Sequence, residues 1–355
     1  MIDKIEELSK SNKEPLEILK YRKESWNRFL QTDMPKDDEW KYTDLSSIDF
    51  NKISFENSIE IKAEGCVKKL DHDLLAKHLQ PGKNKIELFN DALFSSSIIF
   101  FIPKNANAKI DLKITKQNLA KIFFIVEGNA VINEITSTSD FTILQTDIFL
   151  SENASLQYNI LDNSGKANII NEKKCYLNAG SNASFNFALF GGNINRLKIE
   201  NFIKENASGK IKGMFFGSNN QHFNISTSAI HLSQSSVNDI LIKGALKDYA
   251  TSSYYGGIEI KKEAQKADSY LADHVLLLSE DAKANSIPSL KIDANDVRAT
   301  HGATVTELDE EQLFYLMSRG IERKQSEYLV LNAFFNETMN NNKEIQKLLE
   351  KKMVK

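Results

Sequence analysis

The chain has 355 residues, two cysteines and five prolines, with 45 Lys and Arg against 48 Asp and Glu for a formal net charge of −3. At roughly 100–200 residues per domain, this length means two or three domains, or one large β architecture with helical flanks. Near-balanced charge excludes the basic stripe that a nucleic-acid partner demands, and cysteines 109 positions apart (Cys66 and Cys175) exclude a CxxC pair, a four-cysteine zinc site and a secreted disulfide framework.

The N-terminus, Met1-Ile2-Asp3-Lys4-Ile5-Glu6-Glu7, is of mixed charge and lacks the apolar stretch of a signal peptide. The longest apolar run, Ile98–Ile102, falls far short of the ~20 residues that cross a bilayer. The expectation is a cytoplasmic chain with no membrane contact. Ile2, Ile5 and Leu8 sit at helical spacing, and Pro15 opens a second helical stretch carrying Leu16, Leu19, Trp26, Phe29 and Leu30. Met34–Asp38 is a break before Glu39-Trp40-Lys41-Tyr42-Thr43, and a short helix is expected around Asp71–Leu79. Residues 1–86 thus read as an N-terminal helical domain.

Residues 87–307 read as strands. Short or alternating apolar runs such as Ile122–Val126, Phe141–Leu144, Leu156–Ile160 and Phe185–Phe187 are each bounded by Asn, Gly, Ser or Asp. A series this long implies a sandwich, a barrel or a β-solenoid. An internal echo favours the solenoid: Asn-Ala-Ser recurs at 153–155, 182–184 and 206–208, its alanines 29 and 24 residues apart, near the length of one β-helix coil. Residues 308–355 return to helix. Asp309 and Gln312 have capping-box spacing, Leu313, Phe314, Leu316 and Met317 form an apolar face, and Gly320 is placed to stop the helix. A second helix starts near Glu322, Asn340–Asn342 breaks it, and a Lys/Glu-rich tail follows. This helical pair either covers the end of the β zone or docks a partner.

No phosphate-binding G-x-x-x-x-G-K-[ST], dinucleotide G-x-G-x-x-G or G-x-S-x-G motif is present. Of six histidines (His72, His78, His222, His231, His274 and His301), four fall between 222 and 301, where solenoid coils would stack them. His301, followed by Gly302 and Ala303 just before the C-terminal helices, has little bulk around it and is the one best placed to face a metal or a partner. Gln221-His222…Thr227…His231 reads as a polar solenoid wall, and both cysteines read as structural.

The run Pro288–Val305, with Asp296-Val297-Arg298-Ala299-Thr300-His301-Gly302-Ala303-Thr304-Val305 at its heart, resembles the core signature of the SufB/SufD family. Leu308–Ile321, Gly217…Gln221-His222…Thr227…His231, Lys243-Gly244, Gly257-Ile258…Leu276–Ser279 and Glu39–Thr43 extend the likeness over most of the chain, and His-Gly-Ala-Thr at 301–304 is similar to the SufD branch. The resemblance implies a right-handed parallel β-helix flanked by helical domains, and a non-catalytic scaffold subunit for iron–sulfur cluster assembly. It implies pairing with a SufB-like subunit through the β-helix, binding of a SufC ATPase that supplies the ATP hydrolysis, and indirect contact with sulfur donor proteins. His301 becomes a candidate iron ligand at the SufB interface. Asp309, Gln312, Leu313, Phe314, Tyr315, Met317, Arg319 and Gly320 become candidate SufC-docking residues. No cofactor is then held permanently; a transient iron–sulfur cluster, with room for a flavin, belongs to the complex. Many family members carry a cysteine two residues before the histidine, where this chain has Ala299. Two other readings compete: a carbohydrate-active solenoid enzyme using carboxylates among Asp268, Asp273 and Asp296, and a structural homo-oligomer.

Overall fold

The computed structural model describes residues 1–354 apart from 47, 49, 51, 52, 54–58, 71–78, 80, 117, 340 and 341. The expected helix around Asp71–Leu79, and with it His72 and His78, lies outside the described residues. Eighteen described strands form two nine-stranded sheets. The first runs β1 (Ile59–Gly65), β4 (Asn107–Ile114), β6 (Asn129–Thr136), β8 (Ser155–Asp162), β10 (Asn182–Leu189), β12 (Ser208–Gly217), β14 (Val237–Leu246), β16 (Asp268–Leu277) and β18 (Arg298–Glu307). The second runs from β2 (Lys68–Lys69) through β3 (Ser96–Ile102), β5 (Asn118–Val126), β7 (Thr142–Leu150), β9 (Asn168–Leu177), β11 (Ile194–Ile203), β13 (His222–His231) and β15 (Thr251–Ile260) to β17 (Lys283–Ile292).

From β3 onward each strand switches sheet and pairs in parallel with the strand two places along the chain. The result is a parallel β-solenoid of about eight coils. Of the three all-β architectures open at the sequence level, only the solenoid stacks alternate strands this way. Alternation decides which side chains fill it. Ile110, Ile132, Leu156, Phe185, Ile211, Ile240 and Leu271 point into a continuous apolar lumen with Ile148, Ile199, Ile225 and Ile258 from the facing sheet. Each such side chain contributes about 1.5–3 kcal/mol when fully buried.

The repeated tripeptide marks the corners, though not as the spacing alone suggested. Asn153, Gly180, Asn206, Ser235 and Lys266 occupy equivalent left-handed positions, one per coil. A small, fully buried residue follows each: Ala154, Ser181, Ala207, Ser236 and Ala267. The asparagines accept the left-handed conformation because their short polar side chains tolerate it. The middle tripeptide is two residues out of this column, since Ala183 pairs with Leu156 rather than with Ala154; Gly180 and Ser181 do the work there.

Three elements differ from expectation. The N-terminal zone, read as helical, contributes β1 and β2, which pair antiparallel with β4 and β3. The strand series expected from about Leu88 begins at Ser96, because Asn84 caps a helix at Lys85–Leu93 by accepting from the Ile86 and Glu87 amides, both at 3.0 Å. That helix is buried nearly all round, so it shows no amphipathic stripe to read. The Lys/Glu-rich tail forms a helix, Lys343–Val354, which packs Leu349 and Met353 on the outer face of the first sheet.

With the helices numbered in order, α1 (Ile2–Ser11), α2 (Leu16–Gln31) and α3 (Lys85–Leu93) pack against Leu119, Ile143 and Ile170 on the outer face of the second sheet. Arg22 of α2 fastens this layer. Fully buried, it takes both Glu14 oxygens at 2.7 and 2.6 Å and donates to the carbonyls of Ala92 and Phe94 at 3.1 and 2.9 Å. The carbonyls left unpaired at the end of α3 are thereby satisfied. At the other side, α4 (Glu310–Ser318), α5 (Arg323–Met339) and α6 (Lys343–Val354) follow the last strand. α5 lays Leu331, Phe335 and Met339 on Ala188, Met214, Phe216 and Ala245.

Candidate functional site

The two ends of the solenoid are finished differently. At the N-terminal end β1 and β2 cover β4 and β3. At the C-terminal end, among the described strands, β17 and β18 each have a neighbour on one side only, and most of β18 is exposed. An edge strand left open this way presents a row of unpaired backbone donors and acceptors to another chain. Leu290, Ile292 and Val305 add exposed apolar surface to it.

His301 lies on this open edge, paired with Leu271 of β16. In-register parallel strands keep paired residues on one face, so His301 shares the lumen face with Leu271 and remains exposed only because no further coil covers it. His301 is itself exposed, and on the opposite face of the strand a Cβ built on Gly302 would meet no heavy atom within 4 Å. Ala299, also on the lumen face, packs against the apolar core. Among the described residues, no three His, Cys, Asp or Glu side chains converge to hold a metal ion. A complete ligand set at His301 would therefore include donors beyond the His, Cys, Asp and Glu side chains of the described residues.

The helices that follow place the other candidates. Asp309 caps α4, accepting from the Glu311 and Gln312 amides at 2.9 and 3.3 Å, and Gly320 ends the turn after it with φ of +85°. Leu313 is buried, whereas Phe314 and Tyr315 are 74% and 59% exposed and Met317 is also exposed. Arg319 reaches the Tyr315 hydroxyl at 3.3 Å. Asp309 and Gln312 line a groove of about 540 Å³ with Leu276, Leu316, Leu329 and Phe334, between α4, α5 and the edge of the first sheet. Aromatic side chains exposed to this degree beside an apolar groove are characteristic of a docking surface. His301 and this surface are connected directly, because β18 runs into α4 through Leu308.

Several of the remaining motif residues are held in the solenoid wall. Glu39–Thr43 folds onto the outer face of the second sheet: the Arg196 guanidinium lies 3.8 Å from the Trp40 ring centre and binds Glu39 at 2.7 Å, and Lys198 binds Glu39 at 3.0 Å. Thr43 meets His222 at 3.0 Å, and His222 also contacts Thr251 at 2.7 Å. Burial lowers the pKa of His222 to about 4. His231 is fully buried against Ser236 at 2.7 Å, and burial lowers its pKa to about 4 despite Asp268. Both imidazoles are thus neutral wall residues. Burial pushes the Cys175 thiol far above its ordinary value, so it is no thiolate; Cys66 is exposed on the turn after β1. Of the carboxylates open to the enzyme reading, Asp268 faces outward and Asp273 inward on the same strand, so they form no catalytic pair.

The sequence offered Asp273 only as a possible enzyme carboxylate and did not single out Tyr254 or Ser286, which the register places with it in the lumen near the open end. Tyr254 pairs with Ser286. Its ring lies across Gly256, where a Cβ would stand 2.8 Å from it, and its hydroxyl reaches Thr227 at 2.7 Å. Thr227 was legible as part of a polar wall, but its role as the tyrosine's partner depends on that close approach.

The SufBD core domain model of the SUF system for FeS cluster assembly matches residues 113–334, more than half of the chain and including His301. The chain belongs to the SufBD core family. It is similar to the iron–sulfur cluster assembly protein SufD of Bacillus subtilis (strain 168), 28% identical over 276 residues, 73% of this chain and 63% of that protein. It is also similar to iron–sulfur cluster assembly SufBD family proteins of Staphylococcus epidermidis (23% over 285 residues, 75% of this chain and 61% of the relative) and of Synechocystis (23% over 296 residues, 76% and 62%). In each case the match spans less than two thirds of the relative's length. No helix among the described residues is long and apolar enough to cross a membrane.

Proposed function

We propose that this chain is a SufD-like, non-catalytic scaffold subunit of a cytoplasmic iron–sulfur assembly complex. It pairs with a SufB-like subunit through the open end of the solenoid and docks a SufC-like ATPase through α4 and α5. The observation that carries the reading is the open C-terminal end: an uncovered edge strand presents His301 and continues directly into a helix with exposed aromatic residues. A second solenoid set against β17 and β18 would satisfy their free edges and bring its own ligands to the imidazole. Iron is the cargo here, and neutral imidazole is a suitable nitrogen donor for it alongside thiolates from the partner. Force exerted on α4 by a nucleotide-driven ATPase would reach His301 through the β18–α4 junction.

Co-expression with SufB-like and SufC-like partners tests this. H301A is expected to leave the complex assembled but to lose most of its iron and acid-labile sulfide; normal loading would remove the ligand role. Substituting Phe314 and Tyr315 by alanine is expected to release the ATPase in a pull-down while the solenoid pairing survives. Retained ATPase would move the docking surface elsewhere.

A further inference from the structure

Asp273 is fully buried on the lumen face of β16, and among the described residues neither of its carboxylate oxygens finds a partner in hydrogen-bonding geometry. The Ser286 hydroxyl beside it and the Ser269 hydroxyl on the same face are likewise unpartnered, out of bonding geometry. A buried carboxylate left unpaired is among the least favourable arrangements a core can hold, so its presence asks for a ligand. The register shows where that ligand comes from. Asp273 pairs with Ala303 and Leu271 with His301, so the carboxylate and the imidazole share one face, two residues apart along adjacent strands. Toward the uncovered end, the residue paired with Asp273 is Ala303, whose side chain is small.

We propose that Asp273, with the Ser286 hydroxyl and His301, forms an inner half-site for a divalent first-row cation, Fe(II) being the one it serves, admitted through the open end of the lumen. The inference rests on the reading of His301 as an iron ligand and adds a second ligand to that site. One carboxylate, one hydroxyl and one imidazole are a mixed O/N donor set. Such a set suits Fe(II) or Mn(II) better than Mg(II), which prefers oxygen alone, or Cu(I), which prefers sulfur. Water or a partner chain would complete the coordination. Burial raises the Asp273 pKa to about 7, opposed by Ser286; the bound cation would replace that proton.

The test is anaerobic calorimetric titration of the full chain with Fe(II) alone, alongside thermal unfolding. D273N is expected to weaken Fe(II) binding at least tenfold while melting no lower than the parent, because it removes an unpaired charge. D273E, which keeps the carboxylate, is expected to retain more affinity than D273N. Undiminished binding by D273N, or no binding by the parent, overturns the half-site and leaves the cluster-loading test of H301A standing on its own. A D273N chain that melts well below the parent or fails to fold shows a purely structural carboxylate and overturns it too.

Discussion

Two polar clusters sit in the same lumen, and they are built on opposite principles. In the middle of the solenoid Glu134 receives Lys173 at 2.8 Å, the Tyr158 hydroxyl at 2.6 Å and the Asn171 amide at 2.6 Å, while Lys173 also reaches Thr146 at 3.0 Å. Both charges are completely buried and both are answered. Near the open end Asp273 is equally buried and unanswered. A satisfied buried ion pair specifies packing without adding much stability. An unsatisfied one is a standing destabilisation, which folds usually tolerate only where function requires it. The contrast separates interior chemistry that holds the coils together from interior chemistry that awaits a ligand.

The comparison breaks most readily at its paired member. E134A leaves the Lys173 ammonium alone in the lumen and is expected to lower stability by about 3–5 kcal/mol in urea unfolding, whereas E134L/K173M together recover most of that loss. A double variant as unstable as the single would show that the pair itself stabilises the fold.

At the unpaired member the sign reverses, and pH reveals it. The folded-state pKa of Asp273 stands at about 7 against 3.8 for the free side chain, because burial disfavours the charged form. The folded state therefore binds the proton more tightly, and this group's contribution to stability falls as pH rises from about 4 through 7. D273N is expected to gain up to about 4 kcal/mol at pH 8 and well under about 1 kcal/mol at pH 4. A gain independent of pH would point to packing instead.

The smallest effect is expected outside the lumen. Burial pushes the Glu39 carboxyl up, but Lys198 and Arg196 together hold it below its usual range. Water still reaches the pair, and E39Q is expected to cost about 1 kcal/mol, a value between surface and buried pairs. A loss as large as that of E134A would erase the distinction between inside and outside.

Much of this architecture was legible in the sequence. Strand runs bounded by turn residues, a repeat near coil length and the run around His301 identified a solenoid and its family. The apolar face after Leu308 and its Asp309 and Gly320 boundaries predicted α4 closely. What was not legible had a common cause. Helix α3 carries no periodic stripe because it is buried on every side. The Glu39–Thr43 segment means nothing without Arg196, 157 positions away.

The sequence by itself determined the repeating coil, since a solenoid is built from local corners and alternation that recur along the chain. Only the tertiary structure decided which face each polar residue takes and which coil lies beside it. Asp268 and Asp273 are five positions apart on one strand, and the odd spacing puts one in water and the other in the lumen. The stacking of the next coil then set Asp273 behind Ala303 and beside the row of His301. Period two makes facing a matter of a single residue's register, and that register is set by contacts some thirty residues away.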